Sequence, residues 1–173
     1  MYLKINKKTI IETVTKVDFE KVADGLLMIT ICNDVDDQSK IFSYWRLMGI
    51  GTNPPLEIGI NTETKTIKSI TFFVDAECFN SFTLSKTDFS QSNFLVNTEI
   101  FRKTNDYVDA KGQYSVSLAD NKLLCIFDEK YQIKEILKNG RIEFFLSEMN
   151  ELVGFAVCSL KEYEIKEIHS LLL

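Results

Sequence analysis

From residue 10 to residue 160 the chain is written in short apolar runs rich in Ile, Val, Thr and Phe, each closed by polar or turn-forming residues. That punctuation is the strongest constraint on the fold. β-Branched and aromatic side chains suit a pleated, half-buried surface, and runs this short read as strands rather than buried helices. Strands are expected at residues 10–17, 26–32, 41–47, 56–60, 66–74, 94–101, 113–118, 122–127, 133–137, 141–146 and 152–160. With 173 residues, seven Gly and two Pro, the chain is long enough to bury a core without disulfides and is not a linker or a disordered segment.

Two hairpins stand out. In the first, Leu56-Glu57-Ile58-Gly59-Ile60 alternates, a polar turn occupies residues 61–65, and Thr66-Ile67-Lys68-Ser69-Ile70-Thr71-Phe72 alternates again, so one face is wet and one dry. In the second, Ile142-Glu143-Phe144-Phe145-Leu146, a turn at residues 147–150 and Leu152-Val153-Gly154-Phe155-Ala156-Val157 alternate less, which implies deeper burial. Laid over each other, Leu56-Glu57 matches Ile142-Glu143 and Ile67-Lys68-Ser69-Ile70 matches Leu152-Val153-Gly154-Phe155. Asn139-Gly140 adds a turn that accepts positive φ. At the end of the chain Ile165, Ile168 and Leu172 form one helical stripe, so a C-terminal helix is expected, and Asp18 with Gly25 could bracket a short helix. The expected class is α+β, mostly β. Antiparallel meander and hairpin sheets, as a curved sheet or a sandwich, would carry a C-terminal α-helix packed on the sheet. One β-rich domain over residues 1–173 would contain two similar hairpin-based halves, about 1–75 and 112–173, joined by an irregular segment at 76–111.

Charge and thiols narrow the function classes. Twenty Lys and Arg against 25 Asp and Glu give a net charge of −5, which argues against nucleic acid or an anionic membrane surface as partner. The excess sits in residues 18–37, where Asp18, Glu20, Asp24, Asp34, Asp36 and Asp37 face one base, Lys21; elsewhere acids and bases balance. The competing reading of that window is a solvated acidic loop. Cys32, Cys78, Cys125 and Cys158 lie too far apart in sequence for a zinc motif and read as reduced core thiols. The first residues reach charge too early for a signal peptide and no run is long enough to span a membrane, so a cytoplasmic location is expected.

Chemistry-bearing motifs are scarce. His169 is the single histidine and falls on the terminal helix, a poor support for a nucleophile–base pair. Residues 49–55 (Gly-Ile-Gly-Thr-Asn-Pro-Pro) lack the Lys-Ser/Thr ending of a phosphate loop, and a calcium loop begun near Asp34 would need glycine at Ser39 and glutamate at Trp45. Tyr44-Trp45-Arg46 combines the residue types most enriched at binding hot spots. Alternation puts Phe42, Tyr44 and Arg46 on one face, with Trp45 and Leu47 on the other, where a sole Trp belongs to the core.

Two stretches resemble known families. Leu123-Leu124-Cys125-Ile126-Phe127-Asp128, Ile133-Lys134-Glu135-Ile136-Leu137-Lys138-Asn139-Gly140-Arg141-Ile142-Glu143-Phe144 and Asn150-Glu151-Leu152-Val153-Gly154-Phe155-Ala156-Val157, within residues 122–158, resemble a small uncharacterised bacterial β-meander module. Ser147 and Glu148 stand where that module often has aspartates, and it implies no activity. Leu56-Glu57-Ile58-Gly59-Ile60-Asn61 followed by Ile67-Lys68-Ser69-Ile70-Thr71 resembles a hairpin of the immunity proteins of bacterial polymorphic-toxin and contact-dependent-inhibition systems. The resemblance implies a non-enzymatic inhibitor, without cofactor or metal, that occludes a cognate toxin domain. Asp34, Asp36 and Asp37 would steer the encounter while Tyr44 and Arg46 make close contacts. Two alternatives from other classes remain open: a small-ligand binder or unrecognised hydrolase with the 49–55 loop rimming a pocket, and a self-associating structural or adaptor module.

Overall fold

The structure, a computed structural model, describes residues 2–9, 13–33, 42–49, 54–82, 84, 88–127 and 132–171. Strand β1 (Ile5–Thr9) precedes β2 (Thr15–Ala23), β3 (Leu26–Asn33), β4 (Phe42–Met48), β5 (Leu56–Asn61) and β6 (Thr66–Val74). A 3₁₀ turn (Ala76–Cys78) leads to β7 (Asp88–Gln91), β8 (Asn93–Val96) and β9 (Tyr107–Lys111). Then come β10 (Ser115–Ala119), β11 (Lys122–Ile126), β12 (Glu135–Asn139), β13 (Ile142–Leu146), β14 (Leu152–Val157) and helix α1 (Glu162–His169). The class is α+β and mostly β, as the run lengths imply.

The strands form two six-stranded sheets and a small β1–β8 pair. The first sheet runs β2-β3-β6-β5-β4-β9 and the second β10-β11-β14-β13-β12-β7. In each, five consecutive strands pair antiparallel in the same order, and a sixth from the connecting stretch adds in parallel at the end. The inner faces meet in one apolar core, so the architecture is a sandwich. Trp45 lies 5.6 Å from Phe127 and Phe72 lies 5.2 Å from Phe155, ring centre to ring centre, and all four are fully buried. Thr13 and Asn139 tie the halves together through two buried hydrogen bonds: the Thr13 N–H donates to Asn139 Oδ1 and Asn139 Nδ2 donates to Thr13 Oγ1.

Three expectations need correction. Residues 18–25 are not a helix. Residues 18–23 continue β2, and Asp24-Gly25 is a two-residue turn with Gly25 at φ +72°, so pairing with β3 overrides the helical reading. Segment 76–111 is not irregular, for it supplies β7, β8 and β9. β7 and β9 escape the pattern because they are edge strands with most side chains outside the core, which leaves little alternation to read. The strand expected at 94–101 stops at Val96, where Asn97 Oδ1 accepts the Glu99 N–H and turns the chain.

The C-terminal helix forms as expected. Ile168 is buried in the core and Ile165 packs against it, whereas Leu172 lies outside the described residues. Its anchor is polar: Arg141 reaches both carboxylate oxygens of the fully buried Glu164, at 3.2 and 2.6 Å. No helix among the described residues is long and apolar enough to cross a membrane.

Candidate functional site

Strand alternation gives each sheet an inner and an outer face, and the two outer faces differ. On the second sheet Leu124, Ile126, Ile136, Phe145, Val153 and Ala156 are buried, with Phe82, Leu84 and Ile133 packed over them. Glu143 shares that face at 4% exposure, and Lys122 Nζ holds both of its oxygens at 2.9 Å. The chain thus covers most of this face with its own residues, while Phe89 on edge strand β7 stays 59% exposed.

On the first sheet the inner row is Val17, Ile31, Ile70, Ile58, Trp45 and Val108, paired strand to strand. Two outer rows flank it. One runs Lys16, Cys32, Ser69, Gly59, Tyr44, Tyr107 and the other Asp18, Thr30, Thr71, Glu57, Arg46, Asp109. Small polar side chains occupy the middle and a cluster of large ones the β4–β9 end.

The cluster is held in place before any partner arrives. The Tyr44 and Tyr107 rings stack at 5.2 Å with 15° between their planes, and Phe42 meets Tyr44 edge-on at 6.5 Å. Arg46 donates through Nε and Nη2 to Asp109 Oδ1 and Oδ2 at 2.7 and 3.1 Å, while its Cζ sits 4.7 Å from the Tyr107 ring centre. The Asp109 carboxylate raises the Arg46 pKa, chiefly through those hydrogen bonds. Burial raises the Tyr44 pKa, with Glu57 adding to it, so the phenol stays a neutral donor. Gly59 makes room for this: a Cβ there would collide with Ser69 Oγ and come within 3.3 Å of Tyr44 Cε1. Glycine lets the Tyr44 ring lean over bare backbone.

Of the residues singled out from sequence, Tyr44 and Arg46 therefore lie together on the open face, and Trp45 faces the core at 0% exposure. Asp34, Asp36 and Asp37 lie outside the described residues. Sequence reading missed Tyr107 and Asp109, whose strand pairs in parallel with β4 across some sixty residues of chain, beyond any local pattern. A cleft of about 600 Å³ opens beside the start of β9 between Asn97 and Val108. Gly49, Pro54 and Pro55, the described ends of the loop expected to rim a pocket, do not line it.

Two of the thiols are buried. Burial pushes the Cys158 thiol up to about 12, with the Glu143 carboxylate adding to it, and holds the Cys125 thiol well above its usual range, so both stay protonated and unreactive near neutrality. His169 is exposed in the last turn of α1. Comparison of the sequence with models of protein families and with the curated proteins finds no match.

Proposed function

We propose that this chain is a non-catalytic binding protein that covers a protein partner with the outer face of its first sheet. More specifically, it acts as a cytoplasmic bacterial immunity protein that occludes a cognate toxin domain. The observation that carries the reading is the contrast between two sheets of equal strand order. The second has most of its outer face covered by the chain itself, with Phe89 left exposed at the β7 end, while the first leaves open a face that ends in the prearranged Phe42, Tyr44, Arg46, Tyr107, Asp109 cluster. Tyr and Arg dominate binding energies because they bring large contact area and multiple donors, and side chains already fixed in place lose little entropy on association. Asp34, Asp36 and Asp37 supply long-range attraction to a basic partner surface in this scheme.

The test is co-expression with the product of the neighbouring gene. That product alone should arrest growth, and this chain should restore it and co-purify with it. Tyr107→Ala and Arg46→Ala should each weaken the complex by about 2 kcal/mol, the scale of a hot spot. Normal growth without this chain rejects the immunity role, and a complex indifferent to both substitutions rejects the face.

A further inference from the structure

The edge of β9 carries a recognition surface distinct in kind from the face beside it. Tyr44 N–H donates to the Asp106 carbonyl at 2.8 Å and Gly112 N–H to the Met48 carbonyl at 3.2 Å. In a parallel ladder the residues that bond to the neighbour alternate, so 106, 108, 110 and 112 turn their backbone groups toward β4, and Tyr107, Asp109 and Lys111 turn theirs outward. β9 is the last strand of its sheet. The Asp106 carboxylate pKa is held low chiefly by the Arg102 N–H, with the nearby Tyr107 N–H adding to it. The N–H groups of Asp109 and Lys111 and the carbonyls of all three have no partner among the described residues.

Other edges are blunted in the ways that usually protect sheets. β10 is capped by a bridge between Phe79 and Val116, with the Asn80 N–H on the Val116 carbonyl at 2.9 Å. β2 is broken by a bulge between Lys21 and Ala23, carries the exposed Lys16–Asp18 and Lys21–Asp24 pairs, and lies against α1. β7 has only four residues. β9 has none of these devices beyond the charges of Asp109 and Lys111, and Asp109 is already neutralised by Arg46.

A side-chain cleft adjoins that edge, at its start. Ile100 and Val108 give it apolar wall, and its polar groups are unequally satisfied. The Asp106 carboxylate accepts the Arg102 N–H at 2.8 Å, and Asn97 Nδ2 donates to Glu99 at 3.3 Å. The Arg102 guanidinium makes no hydrogen bond or ion pair among the described residues. The Arg102 guanidinium therefore keeps free donors in the cleft, beside the carboxylates of Glu99 and Asp106.

We infer that β9 is a strand-addition site: an extended segment of a partner protein pairs with the outward backbone of Tyr107, Asp109 and Lys111, and places an apolar side chain against Ile100 and Val108 with an acidic one on Arg102. Main-chain hydrogen bonds supply affinity in this mode, and side-chain pockets supply sequence preference. The inference rests on the reading of the chain as a protein-binding module and specifies a second contact for it. A second copy is the weaker occupant, because one five-residue edge paired with itself buries far less than a stable dimer needs.

Phage-displayed random linear peptides panned against the full chain provide the probe. Enriched peptides should combine an apolar with an acidic residue. N-methylation at alternate peptide positions should cost about tenfold or more in affinity, and Arg102→Gln about tenfold, the size of a lost charge-assisted hydrogen bond. Lys111→Pro should abolish binding while Lys111→Ala keeps it, since proline removes only an outward N–H at a sheet edge. In the wild-type chain, exchange of the Asp109 and Lys111 amides should slow on peptide addition, a reading that does not depend on the proline variant folding. No enrichment, unchanged amide exchange, or equal binding to Lys111→Pro and Lys111→Ala overturns the inference. So does a concentration-dependent dimer that Lys111→Pro dissolves, which would give the edge to a second copy. A toxin complex lost with Tyr107→Ala but indifferent to Lys111→Pro keeps the face and rejects the edge; the reverse pattern keeps the edge and rejects the face.

Discussion

The two sheets of this molecule share a strand order and differ in what they do with it. Register places Gly59 and Phe145 at equivalent positions, each on the fourth strand in chain order and opposite its neighbour from the third: Gly59 pairs with Tyr44, Phe145 with Ile136. Two residues earlier, Glu57 pairs with Arg46 and Glu143 with Lys138. On the added strands Tyr107 and Asp109 correspond to Phe89 and Gln91. The same scaffold thus carries an apolar patch on one side, buried for the most part by the chain, and a polar aromatic patch on the other that stays open. A sheet covered on both faces needs near-continuous apolar strands, whereas a sheet with one wet face alternates. The burial of β13 and β14 at every residue, against the alternation of β3 and β4, follows that rule.

The contrast can be broken by mutation. Phe145→Ala empties a fully buried site on the outer face of the second sheet and should cost about 3–5 kcal/mol in chemical denaturation. Thr71→Ala, on the open face of the first, should stay within about 0.5 kcal/mol. Equal costs would mean that the first face is not open in solution. Gly59→Ala forces a Cβ against Ser69 and Tyr44 and should cost about 1–3 kcal/mol, mostly recovered when Ser69→Gly is added. A neutral Gly59→Ala would mean that the Ser69 hydroxyl swings aside for the new Cβ. The Arg46–Asp109 pair is partly exposed, so Asp109→Asn should change stability by less than about 1 kcal/mol, and less still in high salt.

The smallest difference is confined to alkaline solution. Burial, aided by Glu143, raises the Cys158 thiol from 9.0 to about 12. An acid whose folded pKa lies above its unfolded one stabilises the fold fully below the unfolded value and loses that contribution as pH rises from 9.0 toward about 12. Wild type should therefore lose more stability over that window than Cys158→Ala. Parallel pH curves for the two would mean that the thiol is not sheltered as its position implies.

Much of the first sheet was legible because its faces differ in polarity. The residues 66–74 strand coincides with β6, and the split of Phe42, Tyr44 and Arg46 from Trp45 and Leu47 matches β4. The deeper burial of the second hairpin was legible too, from its weaker alternation. Residues 18–25 misled because Asp and Gly serve a tight hairpin turn as readily as helix ends, and only pairing with β3 separates the two. Half of the candidate site was out of reach. Tyr44 and Arg46 advertise themselves, but Tyr107 and Asp109 sit on a short edge strand whose neighbours are chosen by tertiary contact.

The amino-acid sequence alone determined that this chain builds short antiparallel strands with a terminal helix, because side-chain periodicity and turn chemistry act over a few residues and need no distant partner. Only the tertiary structure decided which sheet face is mostly covered and which stays open, where the connecting strands attach, and that Tyr107 and Asp109 complete the cluster around Tyr44 and Arg46. Those outcomes depend on pairings across long stretches of chain, and the hydrophobic and hydrogen-bonding terms that select them exist only once the sheets have met.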